Sequence, residues 1–152
     1  MNEQFNHVIA KMEPMLDQLS ATAPLNRTEL GGIPERGVYV FYEDESPIYV
    51  GRSNRLRQRL LEHGRRSSRH NSATFAFNIA MAAATDAGIS LPETTRTEIE
   101  AYPSFRSLYD KAKERVAEMN IRVIEIKDPI EQTIFEVYAA LALQTHNSFD
   151  NH

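Results

Sequence analysis

The fold is decided by residues 37–63, which read GVYVFYEDESPIYVGRSNRLRQRLLEH. The segment GVYVFY alternates its side chains with the period of a β-strand. The polar run Glu43–Pro47 then turns the chain, and Ile48–Gly51 returns, so the stretch predicts an antiparallel hairpin. Ser53 or Asn54 is expected to cap the helix that follows.

Helical patterns dominate most of the remaining chain. Residues 1–24 predict an N-terminal helical extension, which Pro14 either kinks or splits into two short helices. Residues 65–120 contain no strand pattern and predict a helical insertion. Neither segment supplies the alternation of a half-buried strand.

The sheet is expected to be completed near the end of the chain. Ile121–Lys127 is rich in β-branched residues and predicts a third strand. Asp128 and Pro129 are suited to open a last helix, and Glu131 has the position of a capping-box acid. We therefore expect one domain over residues 1–152. Its predicted fold class is α/β, with about three mainly antiparallel strands flanked by helices.

Composition excludes several classes of protein. The chain has 152 residues, no cysteine and a net charge of −4, so disulfides and thiolate metal sites are excluded. The N-terminus lacks the basic and apolar regions of a secretory signal, and no apolar run is long enough to span a membrane. The expected location is cytoplasmic, with no membrane partner.

The charge is distributed unevenly along the chain. Residues 52–70 contain seven arginines and one acid, a net charge of +6 that leaves −10 for the rest. Such a patch is typical of a surface that contacts a phosphate backbone, although a solvated basic helix face is the alternative. The absence of interleaved acids favours a ligand. The arginines are Arg52, Arg55, Arg57, Arg59, Arg65, Arg66 and Arg69.

Five side chains suit chemistry on a phosphodiester. Tyr39 and Tyr49 lie in the predicted hairpin, and Arg59 and His63 are four residues apart on one helix face. Glu136 is the only charge in the helical run TIFEVYAALAL. A carboxylate in so apolar a helix is costly unless it is paired or binds a cation. Glu136 is thus a candidate metal ligand, and a buried salt bridge, with Arg59 as a suggested partner, is the alternative.

The pairing GVY…YVG, followed by arginine and histidine at these offsets, resembles the GIY-YIG nuclease superfamily. The resemblance covers residues 37–63 and 121–147, the expected nuclease core. It implies a DNA endonuclease that hydrolyses phosphodiester bonds with one Mg²⁺ or Mn²⁺ held by Glu136. The insertion at 65–120 and the N-terminal extension match nothing in the minimal family core.

The resemblance also implies roles for the candidate residues. Arg59 would grip the scissile phosphate, and His63 would transfer a proton or contact the phosphate. Tyr39 and Tyr49 would contact the attacking water and the phosphate; the family favours Tyr39 as the base, and the choice stays open. Each residue also has an ordinary alternative, as a surface arginine, a helix-dipole partner or a core aromatic.

Further residues are expected to assist. Arg52 is predicted to contact phosphate, Gly51 to allow close approach of the substrate, and Asn147 to orient the site. The remaining residues predicted to contact DNA phosphates are Arg55, Arg65, Arg66 and Arg69.

Partners and pathway are only partly defined by these patterns. DNA is the expected substrate, RNA stays open, and a non-cleaving DNA-binding module on the same fold is the alternative function. The chain shows no separate targeting domain, which leaves room for a homodimer or a targeting partner protein. A small restriction or defence nuclease, or a repair nuclease, fits the expected activity.

Overall fold

The computed structural model describes residues 1–148 and contains a three-stranded antiparallel sheet. The strands are β1 (Gly37–Glu43), β2 (Ser46–Ser53) and β3 (Asn120–Glu125), in the order β2–β1–β3. The predicted α/β class with a three-stranded antiparallel sheet is therefore confirmed. The helices within residues 1–148 are α1 (Glu3–Ile9), α2 (Met12–Ala21), α3 (Leu56–Gly64), α4 (Thr74–Asp86), α5 (Arg96–Glu100), α6 (Pro103–Ala117) and α7 (Pro129–Ala142), with 3-10 turns at Arg27–Gly32 and His146–Ser148.

The chain divides into two units. The sheet unit comprises Met1–Arg57 and the segment from Met119 onward, and it holds β1, β2, β3, α1, α2 and α7. The helical unit comprises Gln58–Glu118 and holds most of α3 with α4, α5 and α6. It contains no strand, as the sequence predicted for the insertion. Across residues 1–148, no helix combines the length and the apolarity needed to cross a membrane.

The core of the sheet unit lies on one face of the sheet. Val38, Val40 and Val50 project to this face and pack against α2 and α7. The helices contribute buried side chains that include Leu19 and Phe135. The opposite face carries the side chains at the alternate positions, because successive residues of a strand point to opposite sides.

The hairpin between β1 and β2 is tighter than the sequence indicated. Only Asp44 and Glu45 lie between the strands, and both have left-handed φ angles, of 50° and 68°. A two-residue turn with two positive φ angles matches the twist of the strands. Aspartate tolerates this conformation better than glutamate does, so the cost lies mainly at Glu45.

The first turns of α2 and α7 contain residues that favour the start of a helix. The N-terminal extension forms two helices, α1 and α2, with Pro14 in the first turn of α2, where its missing N–H costs nothing. Asp128 caps α7 as predicted and accepts hydrogen bonds from the next two backbone N–H groups after Pro129. Glu131 instead pairs with Lys11 at 2.5 Å, so its predicted capping-box role is replaced by a tertiary contact.

An aromatic cluster forms the core of the helical unit. The ring of Phe77 on α4 lies 5.0 Å from Phe105 and 5.7 Å from Tyr109, which are one turn apart on α6. All three side chains are buried. The helix α4 ends before Gly88, whose φ of 68° suits glycine best.

Candidate active site and phosphate-binding residues

The tyrosines of the two signature triplets, GVY at residues 37–39 and YVG at residues 49–51, lie together on the sheet face opposite the main core. Tyr39 on β1 and Tyr49 on β2 have ring centroids 6.4 Å apart, and Phe41 lies beside both. Each tyrosine is only 1% exposed. The hairpin register explains the grouping, because Tyr39 faces Gly51 and Phe41 faces Tyr49 across the strand pair.

Gly51 provides the space that the Tyr39 ring occupies. A Cβ atom at Gly51 would lie 2.3 Å from both Cζ and Oη of Tyr39. The phenol therefore crosses the edge strand β2 directly over this glycine. The prediction that Gly51 lets a substrate approach its backbone needs correction at this face, because Tyr39 already fills the room.

Gly37, the other signature glycine, is constrained by the backbone. A Cβ atom there would lie 1.9 Å from the carbonyl oxygen of Ile124 on β3. Neither signature glycine is needed for an unusual φ angle. Both are needed because a neighbour occupies the position of the missing side chain.

Glu136 lies on α7, on the core side of the sheet, and is buried at 4% exposure. Its Oε1 lies 3.4 Å from Nε of Arg52, which follows Gly51 on β2. Within its own unit, Glu136 therefore has Arg52 as a salt-bridge partner, and the suggested pair with Arg59 stays a prediction. The Nε–H of Arg52 makes no hydrogen bond, so the pair is a charge contact of incomplete geometry.

Two consecutive residues of β2, Gly51 and Arg52, thus each contact one candidate side chain, on opposite faces of the sheet. The Tyr39 phenol crosses Gly51 on one face, and the Glu136 carboxylate approaches Arg52 on the other. The structure brings together the two tyrosines, and separately Arg52 with Glu136. Strand alternation assigns these pairs to opposite faces of the sheet.

Gln132 is a residue that sequence reasoning missed. It precedes Glu136 by one helical turn on α7, on the same helix face, and is 1% exposed. Its Nε2 donates to the Ile126 carbonyl at 3.0 Å and to Asn54 Oδ1 at 3.3 Å, which fixes the orientation of the amide. Its Oε1 is buried and accepts no hydrogen bond within the described residues. An unsatisfied buried acceptor is the signal that only tertiary structure supplies.

Arg59 and His63 lie on α3 in the helical unit. Arg59 donates from Nη1 to the carbonyl of Ser72 at 2.7 Å and lies 3.5 Å from Glu62. A phosphate would therefore have to compete for the Arg59 guanidinium with the Ser72 carbonyl and Glu62, to which it is already bound. His63, in the last turn of α3, is fully buried.

The arginine run finds acidic partners that its own sequence neighbourhood lacks. Arg69 Nε lies 2.7 Å from Glu100 on α5. Arg66 lies 3.8 Å from both Asp110 and Glu114 on α6. The expectation that these two arginines lack acidic partners is therefore wrong, because folding supplies the acids from other helices. Arg55 and Arg65 are exposed.

Glu100 joins two residues of the arginine-rich segment to α5. It is 7% exposed and accepts hydrogen bonds from Arg69 Nε and from the backbone N–H of His70, with the His70 ring nitrogen 3.1 Å away. Burial alone would raise the pKa of Glu100. The hydrogen bonds from His70 and Arg69 outweigh burial and lower the pKa below its ordinary value of 4.5.

Asn147 is exposed and lies on the 3-10 turn His146–Ser148 that follows α7. Its orienting role stays a prediction. Within residues 1–148 there is no group of three or more histidine, aspartate or glutamate side chains placed to hold a metal ion.

The chain matches no protein-family model, no curated protein and no solved structure. Membership of the nuclease family therefore stays a prediction from the sequence.

Proposed function

We propose that the protein is a metal-dependent DNA endonuclease with a GIY-YIG-type active site. The observation that carries the proposal is the order and element type of five residues. Tyr39 lies on β1, Tyr49 on β2, Arg59 and His63 on one helix, and Glu136 on the helix after β3. This is the sequence of elements that the nuclease family uses for the same residue types.

The residues of the chain would divide the work of phosphodiester hydrolysis. Arg59 would offset the charge that builds up on the phosphate, and His63 would exchange a proton with the leaving or attacking oxygen. Tyr39 would orient the attacking water. A free phenol has a pKa near 10, about three units above neutral pH, so Tyr39 would need a neighbouring cation to act as a base.

The oxygen ligands at α7 fit a small hard cation. Mg²⁺ prefers oxygen donors and usually keeps several waters, so one or two protein ligands with a substrate phosphate suffice. The Glu136 carboxylate and the unsatisfied Oε1 of Gln132 lie on one helix face and supply donors of this kind. When bound, the ion would polarise the phosphate and lower the pKa of a coordinated water. Arg52 would have to release Glu136 and could then contact the phosphate.

A second candidate function is a nucleic-acid-binding module that does not cleave. Two observations favour it. The side chains of Tyr39, Tyr49, His63 and Glu136 belong to residues that are each at most 4% exposed, which limits access of a phosphodiester. Glu136 is also occupied by Arg52 at 3.4 Å, which competes with a metal ion. If this second function is correct, the four buried side chains would serve only to pack the core.

One assay separates these functions. Supercoiled plasmid, linear duplex DNA and single-stranded RNA are incubated with the protein and Mg²⁺ or Mn²⁺, with and without chelator. Cleavage of DNA that chelator abolishes is expected. Binding without cleavage would show that the protein is a non-cleaving nucleic-acid-binding module. Cleavage of RNA alone would show that the substrate is RNA rather than DNA. The pattern of DNA products, at fixed sites or at branched structures, would then distinguish a restriction or defence enzyme from a repair enzyme.

A further inference from the structure

The helical unit contains a cavity of about 200 Å³ between residues 66–69 and α6. Each water molecule occupies about 30 Å³, so the cavity has room for several waters or for a small polyatomic ion. Its charged lining residues are Arg66, Arg69, Arg106, Lys113, Glu100 and Asp110. Four cations against two carboxylates leave an excess of positive charge.

The two carboxylates are already engaged by the protein. Glu100 is bound by Arg69 and by His70. Asp110 lies 3.5 Å from Lys113 and 3.8 Å from Arg66. Within residues 1–148, neither carboxylate forms an ion pair with Arg106, whose guanidinium therefore stays available to a ligand.

The guanidinium groups retain unused hydrogen-bond donors. Arg106 makes no side-chain hydrogen bond or ion pair within residues 1–148, which leaves all five of its N–H donors available. Arg69 uses only its Nε toward Glu100. Arg66 reaches its acids at 3.8 Å, beyond hydrogen-bond distance. Three arginines with donors that no protein group uses therefore border one cavity.

Buried side chains hold the walls of the cavity in place. Lys113 is 4% exposed and donates to the carbonyls of Arg66 at 2.5 Å and Ser68 at 3.1 Å. Glu100 fixes Arg69 and the backbone of His70 from α5. Binding an ion would then require little ordering of the backbone, which lowers the entropic cost.

We propose that this cavity binds a phosphate group through Arg66, Arg69 and Arg106. A phosphate offers three or four oxygens and up to two negative charges, which suits three guanidinium groups better than the two oxygens and single charge of a carboxylate. Ser67 and Ser68, which also line the cavity, add neutral donors. The phosphate belongs either to a nucleic-acid backbone or to a free phosphate ester. The proposal stands whether or not the protein cleaves DNA.

The test uses inorganic phosphate and backbone NMR of the full chain. Phosphate is titrated at constant ionic strength against chloride. Saturable shifts are expected at residues 66–69 and 106–113. Arg106→Gln and, separately, Arg66→Gln should each weaken phosphate binding about tenfold, the effect of one charge-assisted hydrogen bond. Both side chains are exposed, so their loss should not affect folding.

The control variant is Arg115→Gln, which removes the same charge from the exposed end of α6 outside the cavity lining. It should leave phosphate affinity within twofold of the unmodified protein. Shifts that rise linearly with phosphate, or equal weakening by Arg115→Gln and Arg106→Gln, would overturn the proposal.

A second titration identifies the source of the phosphate. A single-stranded DNA oligonucleotide without a terminal phosphate is bound to the protein, and inorganic phosphate is added as a competitor. If the ligand is a nucleic-acid backbone, phosphate displaces the oligonucleotide, and Arg106→Gln lowers the affinity for the oligonucleotide as well as for phosphate. If Arg106→Gln lowers the affinity for inorganic phosphate but not for the oligonucleotide, the ligand is a free phosphate ester. If neither ligand responds to Arg106→Gln, the cavity is not a phosphate site.

Discussion

At the scale of single residues, the signature glycines are explained by what lies beside them. Gly51 leaves room for the Tyr39 phenol, and Gly37 leaves room for the Ile124 carbonyl. Gly51 thus couples the two signature segments directly, since the second glycine positions the first tyrosine. The signature is partly a packing requirement of the hairpin.

Gly51→Ala is expected to destabilise the protein by about 1–3 kcal/mol, the usual cost of overpacking a filled site. The new Cβ would overlap the Tyr39 ring, which is buried and cannot swing into solvent. Urea denaturation measures the change. Gly32→Ala is the matched control, because a Cβ there meets nothing within 4 Å. A Gly51→Ala protein as stable as the control would show that Tyr39 has another position available.

Glu136→Gln is expected to abolish cleavage while the protein stays folded. The substitution keeps the side-chain shape and removes the charge that a metal needs. Arg52 is 29% exposed at its side chain, so it can turn toward water, and the loss of stability should stay below about 1 kcal/mol. Thermal denaturation beside a plasmid-nicking assay gives both readouts.

The control for this substitution is Glu131→Gln on the same helix. Glu131 also forms an ion pair, with Lys11, but does not belong to the proposed metal site. It should lose a similar amount of stability and keep full cleavage. If the Glu136→Gln protein still cleaves with Mg²⁺, Glu136 does not belong to the active site. If its free energy of unfolding falls by several kcal/mol, Glu136 has a structural role.

At the scale of elements, side chains from three helices hold the segment between α3 and α4. Its carbonyls accept hydrogen bonds from Arg59 on α3 and from Lys113 and Tyr109 on α6, and Glu100 on α5 binds two more of its groups. A segment of this length without regular structure needs such partners for its backbone groups. Burial, and secondarily the charge of Glu100, raises the pKa of Tyr109, so its hydroxyl stays a donor.

Glu100→Gln is expected to destabilise the protein by about 1–3 kcal/mol near neutral pH. The folded-state pKa of Glu100 is lowered, so its contribution is fully present above its unfolded value near 4.5. It is lost as the pH falls through the lower folded value. The difference between wild type and variant, from urea denaturation, should therefore shrink below about pH 4.

The exposed Glu114 provides the comparison for the pH experiment. Its side chain is 62% exposed and lies 3.8 Å from Arg66. Glu114→Gln should change stability by a few tenths of a kcal/mol at most and show no such pH dependence. A constant difference for Glu100→Gln down to pH 3 would contradict the lowered pKa.

At the scale of the whole molecule, a single proposed active site can cut only one strand at a time. A monomer should therefore nick supercoiled plasmid, and linear product should appear later, by a second independent cut. Sedimentation with and without DNA, beside a time course of plasmid cleavage, tests this expectation. Concerted linearisation by a strict monomer would contradict it. The N-terminal helices and the helical insertion are the predicted dimer surfaces if two copies act together.

The local elements could be predicted because each has a local cause. The strand period of residues 38–42, the Asp128 cap with Pro129 and the break near Pro14 all appear within a few residues of sequence. The turn was predicted too long because left-handed φ angles at Asp44 and Glu45 have no strong signal in their residue types. The candidate site was predicted as a set of residue types, but the contact between Arg52 and Glu136 and the buried Gln132 beside it were not predicted, because both depend on packing.

The sequence by itself determined the elements, the order of the candidate residues and the position of the arginine run. Only the tertiary structure decided which charges meet. Glu136 lies beside Arg52, Arg69 beside Glu100, and Gln132 keeps an unsatisfied buried oxygen. The physical reason is that strand period, capping and helix periodicity act over a few residues, whereas an ion pair depends on the position of residues brought together by packing.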